Sequence, residues 1–247
     1  MTDFAAISTF NAAGLELYGR RMVVSFHEHW PAEVPLRVYS EGWDFLDCWG
    51  PENFNLSAAS PWLDEFKARH GHRTFKDFRW DAVRFSHKVA AVCHAARNID
   101  CDVLIWLDGD IVTHANLSIE DLEGLRPRDD EWISWLYRQN MYPECGFYML
   151  DRRHPQHEAM IASFEAMYMQ DLLYGLAEYH DSYVLRHVVE AARVPWRSIS
   201  GKGGETSHPL INGPLGQWFD HLKGRRKREG RSRPGDLKVA RSEGYWK

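Results

Sequence analysis

The chain has 247 residues, of which 44% are hydrophobic and 26% are charged, a composition that suits one globular domain with a sizeable core. Its formal net charge of −5 gives the average surface no affinity for nucleic acids or membranes. The first ten residues lack the basic and apolar regions of a secretory signal, and no segment has the ~18 apolar residues of a membrane span. The four cysteines form no Cys-x-x-Cys pair. We therefore expect a cytoplasmic protein.

Predicted strands and helices alternate along the chain, which indicates an α/β domain. The residues between 43 and 61 include many turn formers and are predicted to be irregular. Strands are predicted at residues 4–10, 36–40, 101–107, 132–136 and 146–150, and helices at 15–30, 62–70, 80–96, 155–173 and 181–192.

The most informative segment is the apolar run at residues 101–107, CDVLIWL, in which Asp102 is the one charged residue; such a run is typical of a strand covered on both faces. It ends in Asp108-Gly109-Asp110, at the strand end where α/β sheets bind ligands. Two carboxylates this close repel each other unless a cation lies between them, and oxygen ligands suit Mg²⁺ or Mn²⁺. Gly109 would permit a tight turn and close approach of a ligand. A simple turn is the less favoured alternative.

An Asp-x-Asp motif after a hydrophobic strand resembles the GT-A fold of nucleotide-sugar glycosyltransferases. The resemblance implies a single Rossmann-like domain with a central, mostly parallel sheet. It also implies a nucleoside diphosphate held at Asp108, Gly109 and Asp110 through a divalent ion, usually Mn²⁺.

A second motif, His221-x-x-Gly224-x-x-Lys227, is similar to the His-x-x-Gly-x-x-Lys pattern of glycogenin-like retaining transferases. The resemblance implies that His221 is the third protein ligand of the metal, and that Gly224 and Lys227 contact the diphosphate. In physical terms, an imidazole completes a mixed O/N site and an ammonium offsets the charge of the leaving group. A solvated basic surface is the alternative.

The motif lies in a basic strip, in which nine Lys or Arg residues fall between Lys223 and Arg241. We expect residues 1–228 to form the catalytic domain and residues 229–247 to form a basic C-terminal tail that is mobile or loosely docked.

Two further groups of residues are candidates for donor contacts. Arg84 and Lys88 are four apart on a predicted helix and share one face, where both could meet a diphosphate, although pairing with Asp81 is an equal alternative. The end of the first strand receives the base and ribose in GT-A enzymes, so the resemblance assigns that role to Ser8, Thr9 and Phe10.

Two acidic residues are the catalytic candidates. Glu144-Cys145-Gly146 lies where glycogenin-like enzymes carry Asn-x-Gly, and Asp181 lies where they carry Asp-Gln. Asp181 would bind donor sugar hydroxyls or stabilise oxocarbenium charge, unless it only caps a helix. Both matches are inexact, so retention is suggested only; in an inverting enzyme Glu144 or Asp181 would act as the general base.

These features predict a glycosyltransferase of the hexosyltransferase class that moves a sugar from a nucleoside diphosphate donor, a UDP-sugar by preference, to an acceptor hydroxyl. The acceptor would be a glycan, a protein or a polyanion. A sugar nucleotidyltransferase is the first alternative, although residues 8–14 lack the expected Gly-rich basic loop. A nucleic-acid binding protein that uses the basic strip is the second, and the acidic body opposes it.

Overall fold

The computed structural model describes residues 2–43, 53–73, 75 and 77–247. The strands are β1 (Phe4–Asn11), β2 (Leu36–Glu41), β3 (Phe54–Asn55), β4 (Val103–Leu107), β5 (Ile111–Thr113), β6 (Ile133–Arg138), β7 (Met141–Asp151), β8 (Trp196–Ser198) and β9 (Phe219–His221). The helices are α1 (Ala12–Gly14), α2 (Arg20–His29), α3 (Leu56–Ala59), α4 (Trp62–His70), α5 (Ala82–Asn98), α6 (Ile119–Leu125), α7 (His157–Met169), α8 (Asp181–Ala192), α9 (Pro209–Asn212) and α10 (Arg226–Glu229).

Seven strands form one sheet in the order β3-β2-β1-β4-β7-β6-β8. Strands β3, β2, β1 and β4 run parallel to one another, β7 is antiparallel to both β4 and β6, and β8 is parallel to β6. This arrangement confirms the predicted α/β class with a mostly parallel central sheet. A separate two-stranded sheet pairs β5 with β9.

The sheet is buried on both faces. In β4, Leu104 and Trp106 belong to the core on one face, whereas Val103, Ile105 and Leu107 belong to the core on the other. Successive side chains of a strand point to opposite faces, so a strand covered on both sides must be apolar at every position. The predicted central strand is confirmed, and its burial fixes where Asp108 emerges.

Most predicted elements are confirmed, with shifted boundaries. The predicted helix at 15–30 contains a π-helical turn, Leu15–Gly19, before α2 begins. The interval from 43 to 61 contains β3 and α3 rather than irregular chain only, and its residues 44–52 lie outside the described part of the structure. The side chain of Asp81 caps α5 by accepting the backbone N–H of Arg84 at 3.3 Å.

The segment after residue 228 packs against the domain, unlike the loosely docked tail that its composition predicts. The buried carboxylate of Asp220 accepts hydrogen bonds from the backbone N–H and the hydroxyl of Ser232 and from the hydroxyl of Tyr245. Trp246 is 4% exposed and donates its indole N–H to the Gly216 carbonyl at 2.8 Å. A few buried side chains therefore anchor a polar segment. Whether 228 divides two domains stays a prediction.

Cys93, Cys101 and Cys145 are buried free thiols, and Cys48 lies outside the described residues. Within the described ranges, none of the helices is both long enough and apolar enough to span a bilayer.

Candidate active site

A cavity of about 830 Å³ opens at the carboxyl ends of β1 and β4. Parallel sheets place their ligands at this edge because the loops that follow neighbouring strands meet there. Most of the predicted site residues line the cavity: Thr9, Phe10, Arg84, Lys88, Asp108, Gly109, Asp110, Glu144, Asp181, His221, Gly224 and Lys227.

Asp108, Gly109 and Asp110 form the turn that connects β4 to β5, which we call the acidic turn. The Asp108 N–H donates to the Gly146 carbonyl at 2.8 Å, and the Ile111 N–H donates to the Asp108 carbonyl at 3.0 Å. These two bonds hold the turn between β7 and the start of β5. Asp108 remains partly exposed to the cavity, whereas Asp110 is almost fully buried.

Pairing of β5 with β9 brings His221 to this turn. His221 lies opposite Ile111 in the antiparallel register, and the Leu222 N–H donates to the Asp110 carbonyl at 2.9 Å. The imidazole Nε2 is 3.2 Å from Asp110 Oδ1 and 3.7 Å from Asp108 Oδ2. The structure therefore brings together the three residues predicted as metal ligands, with one ligand atom of each within 4.8 Å of the others.

The other oxygen of each aspartate is held by a lysine. Lys88 Nζ is 3.0 Å from Asp108 Oδ1, which also accepts the Trp106 indole N–H at 2.7 Å. Lys227 Nζ is 2.9 Å from Asp110 Oδ2. Each carboxylate thus has one oxygen compensated by an ammonium and directs the other toward His221.

This donor set fits a hard divalent cation. Ligands at ~2.1 Å from an octahedral Mg²⁺ lie ~3 Å apart when they are at right angles, close to the separation of Asp110 Oδ1 and His221 Nε2. Two carboxylates and one imidazole leave coordination positions for phosphate oxygens. Asp108, Asp110 and His221 are therefore the residues that could hold Mn²⁺ or Mg²⁺.

The electrostatics of the cluster keep Asp110 ionised. Burial alone would raise the pKa of Asp110, but the charges and hydrogen bonds of His221 and Lys227 lower it well below its ordinary value. Burial and the charge of Lys223 oppose protonation of His221, yet the neighbouring Asp110 and Glu144 raise the pKa of the imidazole. In this arrangement, therefore, positive groups surround both carboxylates.

Lys88 occupies a different place from the one predicted. It is buried, its Nζ is 2.8 Å from Asp181 Oδ2, and it donates to the Cys145 carbonyl as well as to Asp108. Arg84, one helical turn earlier, is exposed at the cavity rim. Lys88 lines the cavity together with Arg84, but its ammonium is paired with Asp108 and Asp181, so a joint contact of the two cations with a diphosphate stays a prediction.

The two predicted catalytic acids differ in their surroundings. Asp181 begins α8, is 4% exposed and pairs with Lys88. Glu144 is 3% exposed and both of its oxygens are engaged: Oε2 accepts the Leu210 N–H at 3.1 Å, while Oε1 contacts Lys223 and lies 3.0 Å from His221 Nδ1. These contacts argue against Glu144 as a base for an acceptor hydroxyl.

At the end of β1, Ser8 does not reach the cavity. Its side chain is fully buried and donates to the Leu107 carbonyl at 2.7 Å, so it joins β1 to β4 and is not available to a ligand. Thr9 and Phe10 do line the cavity. The Thr9 hydroxyl lies 2.9 Å from both the Tyr39 carbonyl and Glu41 Oε1.

Two glycines are required by close contacts around the acidic turn. A Cβ on Gly109 would lie 2.7 Å from the Phe10 ring and 3.2 Å from the Tyr18 ring. A Cβ on Gly146 would lie 2.7 Å from His221 Cε1. The lack of a side chain at Gly109 therefore lets Phe10 and Tyr18 pack against the turn, and the lack of one at Gly146 leaves room for the imidazole of His221.

Sequence reasoning missed several residues of this site. Tyr18, in the π-helical turn, has the Lys227 ammonium 4.5 Å from its ring centroid, and burial, together with the nearby carboxylates, raises its pKa to about 12. Trp106 and Lys223 orient Asp108 and Glu144. Only Trp106 carried a signal, since a buried indole N–H needs an acceptor.

Much of the basic strip is paired within the protein. Lys223, Lys227, Arg233 and Arg241 each form an ion pair with a carboxylate, and Arg226 is buried against Ser232. These pairs reduce the positive charge that the strip offers to a polyanion.

Comparison with known proteins finds likeness in structure and none in sequence. No protein-family model matches the chain, and no curated protein sequence does. The solved structure of WbbM, a bifunctional glycosyltransferase in its apo form, matches with a TM-score of 0.51 and 13% identity over 81% of this chain. Mouse xyloside xylosyltransferase 1, also in its apo form, matches with a TM-score of 0.51 and 13% identity over 79% of this chain.

The chain has the GT-A fold. It spans 39% of the length of the WbbM chain and 84% of the mouse chain. At 13% identity the likeness concerns the fold alone, so a function has to be argued from the side chains of the cavity.

Proposed function

We propose that this protein is a metal-dependent glycosyltransferase, which moves a sugar from a nucleoside diphosphate donor, a UDP-sugar by preference, to an acceptor hydroxyl. The observation that carries the proposal is the convergence of Asp108, Asp110 and His221 at the end of β4 in a GT-A fold. A structural turn would not need a histidine from a distant strand between its carboxylates, nor a lysine on each of them.

Departure of the diphosphate is the step at which negative charge grows, so this step needs the most stabilisation. A bound Mn²⁺ or Mg²⁺ supplies Lewis-acid neutralisation of the diphosphate oxygens. Lys227 already reaches Asp110, and a short movement of its flexible stem would let it donate to a phosphate oxygen. Gly224, with φ of +60° and open space at its Cβ position, lets the backbone approach the same group. Arg84 lies at the rim and can bind the phosphates from outside.

We expect the remaining parts of the donor to bind at the end of β1 and at the start of α8. Thr9 and Phe10 lie at the end of β1, where the base and ribose would bind. Asp181 faces the cavity from the start of α8. Its carboxylate would accept hydrogen bonds from hydroxyl groups of the donor sugar, with Lys88 holding the carboxylate in place.

We favour transfer with retention of the anomeric configuration. An inverting enzyme needs an available carboxylate to deprotonate the acceptor. Glu144 is fully engaged and Asp181 is paired with Lys88, so the two acids considered for that role are poorly suited to it. Proton NMR of the first-formed product would distinguish the two outcomes.

A thermal-shift screen of nucleoside diphosphates and nucleotide sugars, each with and without Mn²⁺, tests the proposal. A ligand present at 100 times its dissociation constant should stabilise the protein by about 2.7 kcal/mol. We expect stabilisation by a uridine nucleotide only when Mn²⁺ is present. Release of pyrophosphate from a nucleoside triphosphate and a sugar 1-phosphate would instead identify a nucleotidyltransferase.

A further inference from the structure

The two ring nitrogens of His221 face different carboxylates. Nε2 points to the acidic turn, 3.2 Å from Asp110 Oδ1. On the opposite side of the ring, Nδ1 lies 3.0 Å from Glu144 Oε1. The imidazole is buried, so these contacts, rather than water, determine its orientation and its tautomer.

Glu144 is itself held from several directions. It lies on β7, its Oε2 accepts the N–H of Leu210 on α9 at 3.1 Å, and Lys223 contacts its Oε1 from just beyond β9. The carboxylate is therefore fixed by contacts that do not depend on His221. A fixed acceptor of this kind can orient a histidine, whereas a mobile one cannot.

We propose that Glu144 is a positioning residue that orients His221 for cation binding. Glu144 accepts a hydrogen bond from Nδ1–H, so that the neutral imidazole, the form that binds a cation, would direct its Nε2 lone pair at the point shared by Asp108 and Asp110. A carboxylate behind a ligating imidazole also strengthens the imidazole as a ligand. The inference rests on the proposed metal-dependent function and gives Glu144 a role in place of the catalytic one expected from the sequence.

A purely structural role for Glu144, as a link between β7 and α9, predicts a different result. Such a link would change stability without acting on the metal through His221. A double-mutant cycle separates these roles, because residues that act through one contact are not additive.

The experiment measures Mn²⁺ affinity of the full chain by isothermal titration calorimetry for the unaltered protein, Glu144→Gln, His221→Ala and the double variant. We expect Glu144→Gln to weaken Mn²⁺ binding by about 10- to 100-fold. In the His221→Ala background, the same change should alter affinity by less than about twofold, since its effect passes through the imidazole. Circular dichroism establishes that each variant is folded.

Glu178→Gln is the matched control. Glu178 Oε2 lies 2.8 Å from His180 Nε2, a glutamate–histidine contact similar to that of Glu144, but His180 is not among the three clustered ligand residues. We expect its Mn²⁺ affinity to stay within about twofold of the unaltered protein. Glu144→Asp is a second variant that keeps the charge and withdraws it from Nδ1, and it should lose affinity as Glu144→Gln does.

The outcomes separate this inference from the proposed function. If His221→Ala loses Mn²⁺ affinity but Glu144→Gln and Glu144→Asp keep it, the role of Glu144 is overturned and the metal site stands. Additive losses in the double variant would also overturn the role. If the unaltered protein binds no Mn²⁺, both the metal site and the role of Glu144 fall.

Discussion

Lys88 Nζ lies 2.8 Å from Asp181 Oδ2, and both side chains are almost completely buried. Lys88 lies within α5 and Asp181 is the first residue of α8, so the contact joins two helices at the wall of the cavity. The same ammonium binds Asp108. One lysine therefore links the acidic turn to the carboxylate that would face the donor sugar.

Replacement of Lys88 by Met should destabilise the protein by about 3–5 kcal/mol, because it leaves two acids without their buried counter-charge. Urea denaturation followed by tryptophan fluorescence measures the change. Lys67→Met, which removes an exposed helix pair with Asp64, is the control and should change the free energy of unfolding by less than about 0.5 kcal/mol. Equal effects of the two substitutions would show that the Lys88 network carries no special stability.

Gly146→Ala should weaken Mn²⁺ binding by about tenfold or more while the protein stays folded. The added Cβ would lie 2.7 Å from His221 Cε1 and would push the imidazole away from Asp108 and Asp110. Gly124→Ala, at an exposed position of α6, meets no atom within 4 Å and should preserve Mn²⁺ affinity while adding up to about 1 kcal/mol of stability. Calorimetric titration of both variants tests this; unchanged affinity in Gly146→Ala would contradict the geometry given for His221.

Asp220→Ala should release the C-terminal segment. The substitution leaves the Ser232 N–H, the Ser232 hydroxyl and the Tyr245 hydroxyl without their acceptor, at a cost of about 1–3 kcal/mol for each buried group. Trypsin should then cleave after Arg231 faster than in the unaltered chain, whereas Pro234 protects the bond after Arg233 in both. Glu229→Gln, which weakens only surface ion pairs, should leave the cleavage rate nearly unchanged. Mass spectrometry identifies the cut sites, and equal rates in both variants would mean that Asp220 does not anchor this segment.

The sequence predicted the parts of the fold that repeat a strong pattern. Residues 103–107 are apolar at every position because both faces of β4 are covered, and Asp108 and Asp110 follow from where that strand ends. His221 came from a motif resemblance, since the pairing of β5 with β9 joins two strands of three residues, too short to show a period.

Other features depend on packing that no local pattern encodes. Helical spacing placed Arg84 and Lys88 on one face, but only the position of α8 shows that Lys88 meets Asp181. The polar composition of residues 229–247 suggested a loose tail, whereas two terminal aromatics and one buried carboxylate hold it in place. The contact between Glu144 and His221 likewise requires the β5–β9 sheet to be known.

Whether Asp110 helps to hold a cation for a nucleoside diphosphate is tested most directly by calorimetric titration of UDP into the unaltered protein and Asp110→Asn, each in Mn²⁺ and in EDTA. Asp102→Asn, at the other end of β4, is the matched control for the loss of one carboxylate. We expect UDP to bind the unaltered protein and Asp102→Asn in Mn²⁺, and to lose measurable affinity for Asp110→Asn and for every protein in EDTA. Equal UDP affinity of Asp110→Asn and the unaltered protein in Mn²⁺ would contradict the proposed site.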